Sequence, residues 1–205
     1  MKIVAFFSQK GGSGKSVLSI HTAVAAGAKE KVVLIDCDPQ GTSATWSLER
    51  EKVSPVVAKA SPGNIKEVLK AAEQDGYTLA VLDCPPHAVP GTIDIVKQAN
   101  YVIIPIQPSM PDLAAASRAI SMVEAAGKRF SFVINRAPFR APEIEQAMNG
   151  LRTSGSVCPV VIGDRRSFSR ALTDSLAVTE FDRKDSKAVL EIAQFWRWLN
   201  KELKK

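Results

Sequence analysis

A short apolar run, Ile3–Ser8, leads without a break into Gln9-Lys10-Gly11-Gly12-Ser13-Gly14-Lys15-Ser16, and a helical pattern resumes over Lys15–Gly27. This junction constrains the fold more than any other stretch of the chain. Glycines let the main chain turn sharply, so that successive N–H groups converge on one point. The helix that starts there adds the positive end of its dipole. A strand, such a loop and a helix, in that order, make a cradle for phosphate. Within it Lys15 is placed to reach the β- and γ-phosphates of a nucleotide, and the Ser16 hydroxyl to coordinate magnesium. A glycine-rich turn with incidental lysines would explain the glycines, but not a Gly-Lys-Ser set between strand and helix.

The same alternation continues to the end of the chain. Strand candidates are Ile3–Ser8, Val32–Asp36, Pro55–Lys59, Thr78–Asp83, Tyr101–Gln107, Phe130–Asn135 and Cys158–Ile162. Most are nearly continuous in apolar residues, as expected when both faces of a parallel sheet are covered. Helix candidates are Lys15–Gly27, Gly41–Glu51, Asn64–Gln74, Gly91–Ala99, Asp112–Gly127, Ala141–Ser154, Ser167–Ser175 and Asp185–Leu203. Asp112 and Asp185 read as N-caps, and Gly27 and Gly127 as C-terminal stops. The pattern predicts an α/β fold: a single domain over 1–205, built on one doubly wound, mostly parallel sheet with helices on both faces.

Composition agrees and excludes some classes. With 45% hydrophobic and 23% charged residues, the 205-residue chain can bury one sizeable core. No apolar run approaches the ~20 residues of a membrane span. The one at the start, Ile3–Phe7, is shorter than the roughly 7–15 residue core of a signal peptide. Cys37, Cys84 and Cys158 cannot all pair and form no CxxC, which points to the reducing cytoplasm. A net charge of +6 permits a polyanionic partner without requiring one.

Two carboxylate motifs follow strands. The second strand ends Asp36-Cys37-Asp38-Pro39-Gln40-Gly41. Residues two apart on an extended chain point the same way, so Asp36 and Asp38 can face one phosphate and metal site. A capping Asp in a turn would account for one of them but not both. Leu79-Ala80-Val81-Leu82-Asp83 places a carboxylate after four apolar residues, the Walker B pattern that holds magnesium through water. His87 nearby reads as a solvated loop residue rather than a base.

The loop departs from the usual G-x-x-x-x-G-K-[ST] form: Gln9 stands at the first glycine position and Lys10 precedes a glycine pair. This K-G-G-x-G-K-[ST] variant, with D-x-D-P-Q-G at 36–41 and D-x-P-P at 83–86, resembles the ParA/MinD family of deviant Walker A ATPases. The resemblance covers most of the chain, with its specific motifs in the first 86 residues. It implies magnesium-dependent ATP hydrolysis by a homodimer that sandwiches ATP, with Gly11, Gly12, Ser13, Gly14, Lys15, Ser16 and Val17 as the phosphate cradle. Lys10 would reach phosphates held by the other subunit, Asp38 would orient the attacking water, and Ser16, Asp36 and Asp83 would form the magnesium surroundings. Val17 stands where a second threonine is common, which removes a hydroxyl contact to the α-phosphate. Asn135, closing the sixth strand, occupies the place of an adenine-contacting residue.

The family also implies a partner surface. Arg165, Arg166 and Arg170 open a short helix after the last core strand, where relatives touch DNA backbone without reading sequence. Such contact needs only cations spaced to meet phosphates. From Arg118 to Arg170 nine basic residues stand against four acids, so most of the net positive charge lies there. The expected role is that of a small ParA-type partitioning ATPase, with no room for an N-terminal DNA-reading domain. Its ATP dimer coats nucleoid DNA and a ParB-like or other adaptor stimulates hydrolysis and release, moving plasmid, chromosome or protein cargo. The alternative is a MinD-like positioning ATPase that docks on membrane through the C-terminal amphipathic helix with Trp196, Trp198, Lys201, Lys204 and Lys205. Against it, Val189, Ile192, Trp196, Leu199 and Leu203 fall at the spacing of a helix packed on the sheet. An iron–sulfur reductase would need cysteines presented to a partner, whereas Cys37 and Cys84 sit inside the nucleotide motifs. A small-molecule kinase remains a fourth reading.

Overall fold

A computed structural model describes residues 1–86 and 90–205; His87 therefore lies outside the described residues. Seven strands form one sheet: β1 (Lys2–Phe6), β2 (Val32–Asp36), β3 (Val56–Lys59), β4 (Leu79–Asp83), β5 (Tyr101–Ile106), β6 (Phe130–Ile134) and β7 (Ser156–Val157). Their order is β3-β2-β4-β1-β5-β6-β7, and every described pairing is parallel. Between and after them run α1 (Lys15–Ala26), α2 (Thr42–Leu48), α3 (Ile65–Gln74), α4 (Thr92–Val96), α5 (Met110–Ala125), α6 (Glu143–Arg152), α7 (Arg166–Thr173), α8 (Val178–Phe181) and α9 (Lys187–Glu202).

The strand sequences dictate two cores. Successive residues of a strand point to opposite faces, and in β1 Val4 and Phe6 enter one core while Ala5 and the following Phe7 enter the other. Helices α3, α4, α5 and α6 cover the Ala5 side. Helices α1, α2, α7, α8 and α9 cover the Val4 side. This is why β2, β4 and β5 read as unbroken apolar runs: every residue in them is buried.

Three local expectations are corrected. The last strand is Ser156–Val157 rather than Cys158–Ile162. Pro159 has no N–H to give a ladder, so that segment contributes single bonds, from Cys158 N–H to the Phe132 carbonyl at 2.8 Å and from Ile162 N–H to the Ile134 carbonyl at 2.9 Å. The N-caps of α5 and α9 are Ser109 and Ser186, each accepting from a backbone N–H three residues on, rather than Asp112 and Asp185. Serine and aspartate serve equally well as caps, and here the carboxylates turn elsewhere. Helix α8 was not expected, because one turn is too short to show a period; the Glu180 carboxylate holds it by accepting from Ala177 N–H at 2.9 Å.

Helix α9 packs its apolar stripe inward, with Ile192, Phe195 and Leu199 fully buried against the sheet and α1. Trp196 is only partly buried, and Phe195 takes the deeper position. No helix of the described residues is long and apolar enough to cross a membrane.

Candidate functional site

The parallel registers bring the site together. Asp36 is level with Asp83, and Asp83 with Phe6, so the glycine loop leaving β1 lies beside both carboxylates. Gly12 and Gly14 have φ of 76° and 87°, a left-handed conformation that glycine adopts without strain. At Gly14 a side chain is excluded on a second ground, since a Cβ would stand 2.3 Å from the Asn135 amide nitrogen. That amide donates to the Ser13 carbonyl at 2.8 Å. Gln107 donates to the Gly12 carbonyl, also at 2.8 Å. The loop's carbonyls are thus tied down from behind by β5 and β6. Asn135 sits under the loop as a brace and also lines the cleft in front of it.

The lysines take separate places. Lys15 is buried, and its ammonium rests 3.2 Å from the Lys10 carbonyl. Burial pulls its pKa below the ordinary lysine value, opposed most by the charge of Asp83. Lys10 turns out of the loop to α5, where its ammonium meets the buried Asp112 carboxylate at 2.5 Å. The Ser109 hydroxyl donates to the same carboxylate oxygen. Asp112 is therefore part of the site, a role its place at the start of a helix concealed.

The carboxylates are deeply set. Asp83 is fully buried; burial raises its pKa to about 7, opposed by hydrogen bonds from the Ser43 and Ser16 hydroxyls. Ser43 donates to Asp83 Oδ2 at 2.7 Å. Asp36 Oδ1 accepts from Asp38 N–H at 3.0 Å and Oδ2 from Ala44 N–H at 2.8 Å, and burial raises its pKa too. Asp38 faces the cleft, half-buried.

The residues fit a nucleoside triphosphate with magnesium. Ser13 Oγ and Asp83 Oδ1 are buried with no partner among the described residues, one in the cradle and one on the metal side. Magnesium keeps several waters and takes few protein ligands beside phosphate oxygens. No group of three or more His, Cys, Asp or Glu side chains forms a metal centre of its own among the described residues. All three cysteines are free and buried, so none is presented to a partner for a cluster.

In front of the loop opens a cleft of about 730 Å³, which runs from Lys15, Val17 and Asp38 past Arg136 to Phe168 on α7. Of the three arginines expected to meet DNA, Arg166 and Arg170 are exposed on α7. Arg165 is half-buried at the helix start, its Nε donating to both Glu191 oxygens at 3.1 and 3.0 Å. That bond raises its pKa above the ordinary arginine value.

Comparison with known proteins agrees with this geometry. Maintenance of carboxysome distribution protein A of Gloeobacter kilaueensis is 29% identical over 190 residues, covering 91% of this chain and 88% of that protein. Among solved structures, the MinD cell division protein of Aquifex aeolicus superposes with a TM-score of 0.81 at 18% identity, covering 98% of each chain. The septum site-determining protein MinD of Pyrococcus horikoshii, solved with Mg-ADP, gives 0.79 at 16% identity over 98% of this chain and 96% of that one. These structures show the shared fold. Residues 4–178 match the family described as the CobQ/CobB/MinD/ParA nucleotide binding domain, and the chain belongs to that family.

Proposed function

We propose that this protein is an ATP-dependent positioning or partitioning ATPase. Two subunits sandwich ATP and magnesium, the dimer binds DNA without sequence preference, and an adaptor stimulates hydrolysis and release. The observation that carries the reading is the division of labour between two lysines of one loop. Lys15 lies inside the cradle, while Lys10 points away from it to the buried Asp112 carboxylate of α5, a pair it would exchange for phosphate on dimerisation. A cation outside its own phosphate site is suited to neutralise charge on a triphosphate held by a second copy. The relative named for carboxysome distribution favours a protein assembly as cargo.

Within this reading Asp38 orients water from the cleft wall, and Ser16, Asp36 and Asp83 surround the magnesium. DNA contact falls to Arg166 and Arg170, because Arg165 is committed to Glu191. Membrane docking through α9 is disfavoured, since its apolar stripe is spent on the core.

The test is co-sedimentation with non-specific DNA, with and without ATP, and with liposomes in the presence of ATP as the second arm. ATP-dependent pelleting with DNA alone is expected; pelleting with liposomes alone would replace this reading by the membrane one. Lys15→Ala should abolish nucleotide binding. Lys10→Ala should keep ATP affinity within about threefold, or roughly 0.7 kcal/mol, and remove the ATP-dependent dimer seen by light scattering. A Lys10→Ala chain that dimerises normally would refute the trans role.

A further inference from the structure

Helix α2 is fastened at both ends, and the two ends lie in different parts of the molecule. At its start the Ser43 hydroxyl is bonded to Asp83 and the Ala44 N–H to Asp36, at 2.7 and 2.8 Å. At its far end the Trp46 indole donates to the Leu176 carbonyl at 3.2 Å. Just beyond it, Arg50 stacks over the Trp46 ring, 4.7 Å from the centroid. Its guanidinium donates to the Ser175 carbonyl at 3.1 Å and to the Glu180 carboxylate at 2.9 and 2.7 Å. Ser175 and Leu176 form the turn that ends α7, and Ser175 is held at φ 53°, a left-handed conformation uncommon outside glycine. Glu180 caps α8 with the same carboxylate. Burial alone would raise the pKa of Glu180, but the bonds and charges of Arg50, with Ala177 and Lys52, bring it below the usual carboxylate value.

We propose that α2 is a strut carrying the state of the nucleotide site to α7, with Arg50 as the positioning residue at its distal end. This rests on the reading above that α7 presents Arg166 and Arg170 to DNA. The physical case has three parts. First, α2 has only seven residues and rises about 10 Å, too short to bend and absorb a displacement. Second, the oxygens that hold its first turn belong to the carboxylates assigned to the magnesium surroundings. Asp83 holds Ser43 through Oδ2 while its Oδ1 has no partner among the described residues, so a metal-bound water that draws Oδ1 turns the carboxylate and with it the Ser43 bond. Third, the Arg50 side chain is only 2% exposed. A buried ion pair adds little stability over an apolar pair of the same shape, but its fork fixes a geometry, here that of the α7–α8 turn. When the carboxylates change partners, α2 shifts as a unit and α7 shifts with it.

Amide hydrogen exchange over residues 166–176, measured with and without ATP and magnesium, tests this without DNA. In the wild-type chain ATP should change exchange in α7 by at least ~5-fold. In Arg50→Met the change should fall below about twofold, while affinity for a fluorescent ATP analogue stays within about threefold. Trp46→Phe, which keeps the ring and removes one N–H donor, should give a reduced response and serves if Arg50→Met does not fold. Were Arg50 only a brace, its loss would speed α7 exchange equally in both conditions and leave the ATP ratio at its wild-type value; that outcome overturns the proposal. So does a wild-type α7 indifferent to ATP. A chain whose α7 responds through Arg50 but retains no DNA would refute the DNA reading and leave the strut standing.

Discussion

Asp83 meets two opposed demands. The proposed magnesium role calls for a charged carboxylate, yet it lies fully buried with one oxygen unpartnered among the described residues. Its pKa in the folded chain, about 7, stands above the ordinary 3.8. A carboxylate raised in this way favours folding most below its unfolded value, and that contribution is lost as pH rises through about 7. The nucleotide-free protein should therefore become less stable between pH 5 and 8, to an extent on the order of 2 kcal/mol from this group. Asp83→Asn should flatten that profile in thermal melts and raise the melting temperature at pH 8, while weakening magnesium-dependent nucleotide binding. A variant with an unchanged pH profile would show that Asp83 is not the titrating group. That Lys15, Ser16, Asp36 and Asp83 lie beside one another was legible because each stands at or just after the carboxyl end of a strand of one parallel sheet. Ser43, Gln107 and Asp112 were not. Their partners lie 40, 95 and 102 positions away, and no local pattern encodes such a contact.

Elements were read well where a period had room to repeat. Helix α9 shows this, with a stripe that predicted packing on the sheet and a buried face that confirms it. Phe195→Ala should cost about 4 kcal/mol in denaturant unfolding, as expected for a large ring removed from a closed core. A loss under about 1 kcal/mol would mean that the helix is only loosely docked, and would reopen the membrane reading. Short or interrupted elements escaped. Helix α8 is one turn, and β7 is two residues because Pro159 stops the ladder that an apolar run suggested. The caps of α5 and α9 moved onto Ser109 and Ser186, since a serine close to the aspartate presents the same cap chemistry. Only the packing frees one of them, as Asp112 is freed to hold Lys10.

On the scale of the whole molecule, the surplus of positive charge is unevenly committed. Arg165 and Arg136 are paired with Glu191 and Asp164, whereas Arg166 and Arg170 are exposed. Each phosphate contact contributes close to one unit of salt dependence. Replacing Arg166 and Arg170 by alanine should thus lower the slope of log affinity for DNA against log salt by about 2, with ATP affinity unchanged; an unaltered slope would move the DNA surface elsewhere.

The strand order has a further outcome, one of timing. β1 lies at the middle of the sheet, yet its neighbours are β4 and β5, and Lys2 pairs with Leu79. A ribosome adding ~5–20 residues per second makes β1 several seconds before either neighbour exists. Until then Ile3–Phe7 is an exposed apolar segment with both edges bare, the kind of stretch that recruits other chains. Expression at lower temperature or with a holding chaperone should raise the soluble yield of this chain more than any change to its folded surface.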